Sequence, residues 1–165
     1  MTVRTETLKQ KMKTVDKSAY LGRWRNQHGS ELNIVDIEID PSGYELRGTF
    51  KTGVGAHDPE EEFPVWGFLS KKLITFSVNF SRHGCLTAWT GQYRDDGKEP
   101  VLETLWHLTR ELPEKGVDEK DRVWTGIWTG ADTFCRVKKE DSHRDLTLFD
   151  RPVSAPSYPF KTSLK

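Results

Sequence analysis

From Leu21 to about Val137 the chain alternates apolar and polar side chains, in short runs separated by Gly, Pro and Asp clusters. A period of two rich in β-branched and aromatic residues predicts strands. They fall at roughly 21–27, 30–39, 44–52, 63–69, 73–81, 86–94, 101–109 and 123–137. Turns such as Asp40-Pro41-Ser42-Gly43 and Asp95-Asp96-Gly97-Lys98 join them. The segment Leu112–Arg122, dense in charge from Glu114 to Arg122, reads as a solvated loop. Consecutive hairpin-linked strands predict an all-β fold, an eight-stranded antiparallel up-and-down β-barrel, because closure removes the edges that would otherwise aggregate. A barrel of that size holds one small ligand in its mouth.

The flanks have a different texture. Residues 1–20 are rich in Lys and Thr, and Leu8, Met12 and Val15 allow only a short amphipathic helix, so 1–20 is read as an N-terminal extension. Residues 138–165 are polar, carry Pro152, Pro156 and Pro159, and read as a flexible C-terminal tail. The barrel is then 21–137.

Parity names the candidate lining. The seventh strand puts Leu102, Thr104, Trp106 and Leu108 on one side and Glu103, Leu105, His107 and Thr109 on the other. The sixth groups Thr87, Trp89, Gly91 and Tyr93; the third groups Tyr44, Leu46, Gly48, Phe50 and Thr52. The last groups Trp124, Gly126, Trp128, Gly130, Asp132 and Phe134. Aromatic rings mixed with hydroxyls and one carboxylate make a pocket lining rather than a hydrocarbon core.

Composition removes other classes. The 165 residues carry 25 Lys+Arg and 25 Asp+Glu, a formal net charge of zero, without the basic footprint of a nucleic-acid or anionic-membrane binder. No apolar run is long enough to span a bilayer as a helix. Cys85 and Cys135 lie far apart and outside any metal-ligand spacing, so they read as two ordinary thiols, with a single bridge between them as the alternative. The first 20 residues lack the apolar stretch of a signal peptide, so the sequence as written fits either a protein that stays inside the cell or a chain that has lost its leader, and the location stays open.

Taken singly, Trp89 and Trp106 read as core and Asn26 and Ser30 as turn residues; their joint spacing says more. Gly22-Arg-Trp-Arg-Asn26-Gln-His-Gly-Ser30, Thr87-Ala-Trp89-Thr-Gly-Gln-Tyr, Thr104-Leu-Trp106-His-Leu108-Thr and Trp124-Thr-Gly-Ile-Trp-Thr-Gly130-Ala-Asp132-Thr-Phe134 resemble the avidin and streptavidin family in order and spacing. The resemblance implies an eight-stranded barrel, biotin as ligand, no catalysis, no cofactor or metal, and a homotetramer. It assigns Asn26 and Ser30 to the ureido oxygen, Thr52 and Asp132 to the two ureido N–H groups, and Thr87 to the neighbourhood of the sulfur. Trp89, Trp106 and Leu108 become walls, with Phe80 where the family has a Trp. Trp124 matches the Trp that reaches into a neighbouring subunit's pocket.

The departures matter as much. A family Tyr that donates to the ureido oxygen is Phe50 here. At the carboxylate end Ala56, His83 and Cys85 replace polar residues. A urea needs donors at its oxygen and acceptors at each nitrogen, which Asn26, Ser30, Thr52 and Asp132 can supply. The expectation is high-affinity biotin binding below the family's ceiling. The alternative is the same barrel shifted to another small ligand, such as a biotin analogue, a conjugate or a peptide segment. Two weaker readings are a thiol–imidazole pair in Arg82-His83-Gly84-Cys85, and a tail whose Tyr158 or Phe160 occupies the pocket.

Overall fold

The computed structural model describes residues 15–41, 43–54, 58, 60–113, 115, 116, 118, 121 and 125–138. Trp124, Ala56, the helix expected around Leu8 and Met12, and the tail with Tyr158 and Phe160 lie outside the described residues.

The strands are β1 (Gly22–Asn26), β2 (Glu31–Asp40), β3 (Gly43–Lys51), β4 (Phe63–Ser70), β5 (Leu73–Phe80), β6 (Cys85–Arg94), β7 (Val101–Arg110) and β8 (Ile127–Arg136). Each pairs antiparallel with the next, and β8 returns to β1, so the sheet is a closed barrel. This is the expected all-β, eight-stranded up-and-down architecture.

Alternation decides which face is inside. In β4 and β5 every second residue is buried, and Phe63, Val65, Gly67 and Leu69 lie beside Ile74, Phe76, Val78 and Phe80 on one stretch of the inner face. β2 breaks the period. Its register with β3 shifts between Ile34 and Asp36, so Leu32, Ile34 and Ile37 all point inward while Val35 is left 58% exposed. The bulge lets one long strand keep an apolar inner face while the wall bends.

Two details differ from the sequence reading. β8 begins at Ile127 rather than 123, and residues 125–126 belong to a helical turn held by Thr125 Oγ1 donating to the Asp121 carbonyl (2.8 Å). Trp128, grouped by parity with the lining, is half exposed: it sits at the rim, and the Arg110 guanidinium covers its ring at 4.8 Å.

The end of the barrel away from the β1–β2 turn is closed by the chain's own approach to β1. Asp16 caps a 3-10 turn over Lys17–Ala19, and Val15 and Tyr20 are buried in the core. The fully buried Trp24 indole donates to the Tyr20 carbonyl (2.8 Å), and Tyr20 donates to the Lys71 carbonyl (3.0 Å). Arg136 stacks over Trp24 at 4.3 Å and donates to the carbonyls of Leu21 and Ala19.

The outer wall is divided. β1–β3 present Arg23, Arg25, Glu31, Asp36, Glu38, Glu45, Arg47 and Lys51, largely in local ion pairs such as Arg25–Glu31 and Arg47–Glu45 (2.7 Å). From β4 to β8 the outward positions are mostly uncharged, including Trp66, Phe68, Leu73, Leu86, Leu105 and Ile127, all exposed. Among them the charges are Arg94 and Glu103, paired with each other at 2.9 Å.

Candidate binding site in the barrel mouth

The site is assembled by strand ends that are far apart in sequence. Asn26 ends β1 and is 3% exposed; its Oδ1 accepts the backbone N–H groups of His28 (3.0 Å) and Ser30 (2.8 Å). The turn that makes this possible places Gly29 at φ 80, a left-handed conformation that favours glycine. With Oδ1 engaged, the amide nitrogen of Asn26 is the end left over, and it has no bonded acceptor among the described residues. Ser30, 3% exposed, accepts the Gly53 N–H at Oγ (3.0 Å), which leaves its hydroxyl hydrogen free to donate. Two buried donors therefore come from one hairpin.

Acceptors come from elsewhere. Thr52 lies just after β3, half-buried; its hydroxyl donates to the Val54 carbonyl (2.7 Å) and accepts the Val54 N–H (3.3 Å), which leaves one lone pair as acceptor capacity. Asp132, on the inner face of β8, is 5% exposed. Its Oδ2 accepts the Trp89 indole N–H (2.9 Å) and its Oδ1 accepts the Gln27 amide (3.2 Å). Both partners are neutral, and no cation is paired with this carboxylate among the described residues. A buried carboxylate has about four acceptor positions. Two are in use, and the rest are oriented by the same two donors that hold the group.

Gln27 is the residue that sequence reasoning missed. It follows Asn26 in the turn and spans to β8: Nε2 also donates to the Ala131 carbonyl (3.0 Å), and Oε1 accepts the Thr133 N–H (3.0 Å). It therefore locks the hairpin that carries Asn26 to the strand that carries Asp132. Its partners lie 104 to 106 residues away, so no local spacing announced it. Thr104 was grouped with the lining but given no role. It is buried, and its hydroxyl donates to the Asp132 carbonyl (3.1 Å), fixing the backbone beneath the carboxylate.

The walls are aromatic. Trp89, 5% exposed, stacks on Phe76 at 4.9 Å with 9° between the planes, and Phe50 tilts against it at 5.1 Å. Phe50 meets Phe80 edge-on at 6.1 Å, and Phe80 meets Phe63 at 4.5 Å. Trp106 is half-buried on the adjoining strand, paired in register with Trp89 and Gly130. A side chain at Gly130 would place its Cβ 2.4 Å from the Trp106 ring, so glycine there is what lets the indole lie across β8. Thr87 is 5% exposed, and no partner for its hydroxyl is found among the described residues. Leu108 and Cys85 are half-buried toward the rim on the same inner faces.

Of the expected site residues, Asn26, Ser30, Phe50, Thr52, Phe80, Cys85, Thr87, Trp89, Trp106, Leu108 and Asp132 all lie on inner faces or turns at this end. The thiol–imidazole alternative finds no support. His83 Nε2 is bonded to Glu61 Oε2 at 3.0 Å, and burial pushes the Cys85 thiol up, away from the reactive thiolate. Among the described residues no cluster of His, Cys, Asp and Glu is placed to hold a metal ion. Both cysteines are free.

With the geometry in hand, known proteins supply context. The family model described as the Avidin family matches residues 14–137. Hoefavidin from Hoeflea phototrophica is 30% identical over 94 residues, a match covering 52% of this chain but only 57% of Hoefavidin's length. The crystal structure of Xenavidin superposes with a TM-score of 0.55 at 34% identity, covering 71% of this chain and 96% of that one. The rhizavidin–biotin complex superposes with a TM-score of 0.54 at 26% identity, covering 73% and 94%. A matched segment that runs the whole length of the barrel, together with the closed eight-stranded topology, settles the affiliation: the chain belongs to the avidin family.

Proposed function

We propose that this protein binds biotin, without catalysis, in the mouth of its barrel. The observation that carries the reading is the buried Asp132 carboxylate, held by two neutral donors with acceptor capacity to spare, on a strand tied through Gln27 to the hairpin bearing Asn26 and Ser30. In this reading Asn26 Nδ2 and the Ser30 hydroxyl donate to the ureido oxygen. Thr52 and Asp132 accept the two ureido N–H groups. The negative charge of Asp132 draws the urea toward its charge-separated form and strengthens the bonds on the oxygen; such charge-assisted bonds contribute about 1.5–3 kcal/mol each. Phe50, Phe80, Trp89 and Trp106 enclose the bicycle, Thr87 lies toward the thioether, and Leu108 and Cys85 line the exit of the valeryl tail. The biotin complex of rhizavidin, a structural neighbour, supports the ligand assignment.

The affinity falls below the family's ceiling because Phe50 cannot donate. A homo-oligomer, a tetramer by family habit, accompanies the reading, with Trp124 reaching a neighbour's pocket. Support for assembly comes from the mostly uncharged outer wall of β4–β8, whose exposed Leu73, Leu86 and Leu105 suit a second barrel better than water. Titration calorimetry of the wild type and Asp132→Ala with biotin tests the proposal. Saturable binding weakened by about 2–3 kcal/mol in the variant is expected. A folded wild type that releases no heat and is not retained on biotin-agarose ends it.

A further inference from the structure

The mouth carries a cation that the urea contacts leave unused. On β7 the inward parity runs through Thr104, Trp106 and Leu108 and ends on Arg110. An aromatic wall, an aliphatic side chain and a guanidinium therefore follow one another toward the rim. Arg110 pairs in register with Cys85 on β6, and Leu108 pairs with Trp128 on β8.

Two contacts aim the exposed guanidinium. Its Nε donates to the Thr125 carbonyl (3.1 Å), and its central carbon lies 4.8 Å from the centre of the Trp128 ring. The turn that supplies Thr125 is itself seated on the end of β7, because a Cβ on Gly126 would come 3.2 Å from Leu112 Cδ1. Arginine has five N–H donors in a fixed fork. Nε uses one, and the terminal nitrogens have no bonded acceptor and no carboxylate at ion-pair distance among the described residues. The neighbouring rim cations are already matched: Arg82 and His83 both face Glu61, at 3.7 and 3.0 Å. The Glu111 carboxylate lies over Gly84, out of ion-pair distance of Arg110. Cys85 brings only a weak S–H donor, and burial keeps its thiol neutral. A guanidinium backed by a ring and held at Nε has less freedom to lose on binding, and its fork matches a carboxylate with two parallel bonds.

We propose that Arg110 is the specificity-determining residue for the ligand's tail, forming with Trp128 a subsite for the terminal carboxylate of an aliphatic chain that runs past Leu108. The proposal rests on the biotin reading of the pocket and adds a preference to it. The free acid is bound more tightly than forms whose carboxyl group is masked as an amide, because only the acid carries the charge that Arg110 meets.

Competition titrations against a fluorescent, amide-linked biotin conjugate provide the test, with free biotin and its neutral primary amide as competitors. They are run on the wild type, Arg110→Gln and Arg110→Lys, at low and at high salt. The wild type is expected to prefer the acid by about three- to tenfold at low salt, the scale of a charge-assisted pair at a partly exposed site. Most of that preference should vanish at high salt, which screens such a pair. Arg110→Gln should lower affinity for the acid by the same factor and leave the amide within about twofold. Arg110→Lys, which keeps the charge without the fork, should keep part of the preference. Melting temperatures measured alongside show that the variants are folded. A wild type that binds both forms equally at low salt, or a folded Arg110→Gln variant that loses both equally or neither, overturns the subsite and leaves the biotin reading standing. A wild type that binds neither the acid nor the amide overturns both.

Discussion

The two ends of the barrel are built from similar residues and put to different use. At the closed end every large polar group is spent within the protein: the Trp24 indole on Tyr20, the Tyr20 hydroxyl on Lys71, and Arg136 on two carbonyls and the Trp24 face. At the mouth the groups are equally buried but only partly used. Asn26 and Ser30 are satisfied as acceptors and left over as donors, while Asp132 is satisfied by two neutral donors and left over as an acceptor. Buried polar groups without partners cost stability. A fold that leaves them in complementary sets is organised to be completed from outside. Saturation marks the structural end, and ordered incompleteness marks the functional one.

Substitutions break that comparison in opposite directions. The largest effect is expected for Trp24→Ala, which empties a fully buried site and removes the surface under Arg136; about 3–5 kcal/mol of stability should be lost in chemical denaturation. Next, Asp132→Ala should remove about 2–3 kcal/mol of biotin affinity by calorimetry. It should cost the unliganded protein less stability than Trp24→Ala, since the bonds lost by Trp89 and Gln27 are offset in part by removal of a buried charge that has no cationic partner among the described residues. Equal losses of stability at both positions would erase the distinction. Phe50→Tyr sharpens it: adding the missing donor should gain about 1 kcal/mol of affinity, and no gain would mean that the ring only fills space.

The last effect is confined to high pH and is absent at neutral pH. Burial, with the Tyr93 phenol nearby, pushes the Tyr20 hydroxyl up to about 12 from its ordinary value of 10.0. The folded state therefore keeps a proton that the unfolded chain gives up, and stability present below pH 10 is lost as pH rises towards 12. A denaturation series across that window should show the decline, and Tyr20→Phe should flatten it while biotin binding is retained.

Much of this was legible in the chain itself. The alternation in β3 to β7 announced both the strands and their inner faces, because a half-buried strand can satisfy water and core only with a period of two. Legibility failed where the geometry is not periodic. The β2 bulge moves Ile37 inward and Val35 outward, the start of β8 gives way to a helical turn, and Trp128 escapes to the rim beneath Arg110. Gln27 stood inside a motif that was read residue by residue, yet its part depends on three atoms of β8 that only closure of the barrel brings within reach.

What the sequence determined by itself was therefore the set of strands, the parity of their faces and the chemical types available to a cyclic urea, all of them local consequences of side-chain alternation and turn chemistry. The tertiary structure decided which of those groups are already spent. Asn26 became a donor because Oδ1 is held by its own turn, and Asp132 an oriented acceptor because Trp89 and Gln27 converge on it. The physical reason is that a hydrogen bond or ion pair depends on distance in space, and closing a sheet brings together residues that the chain keeps a hundred positions apart.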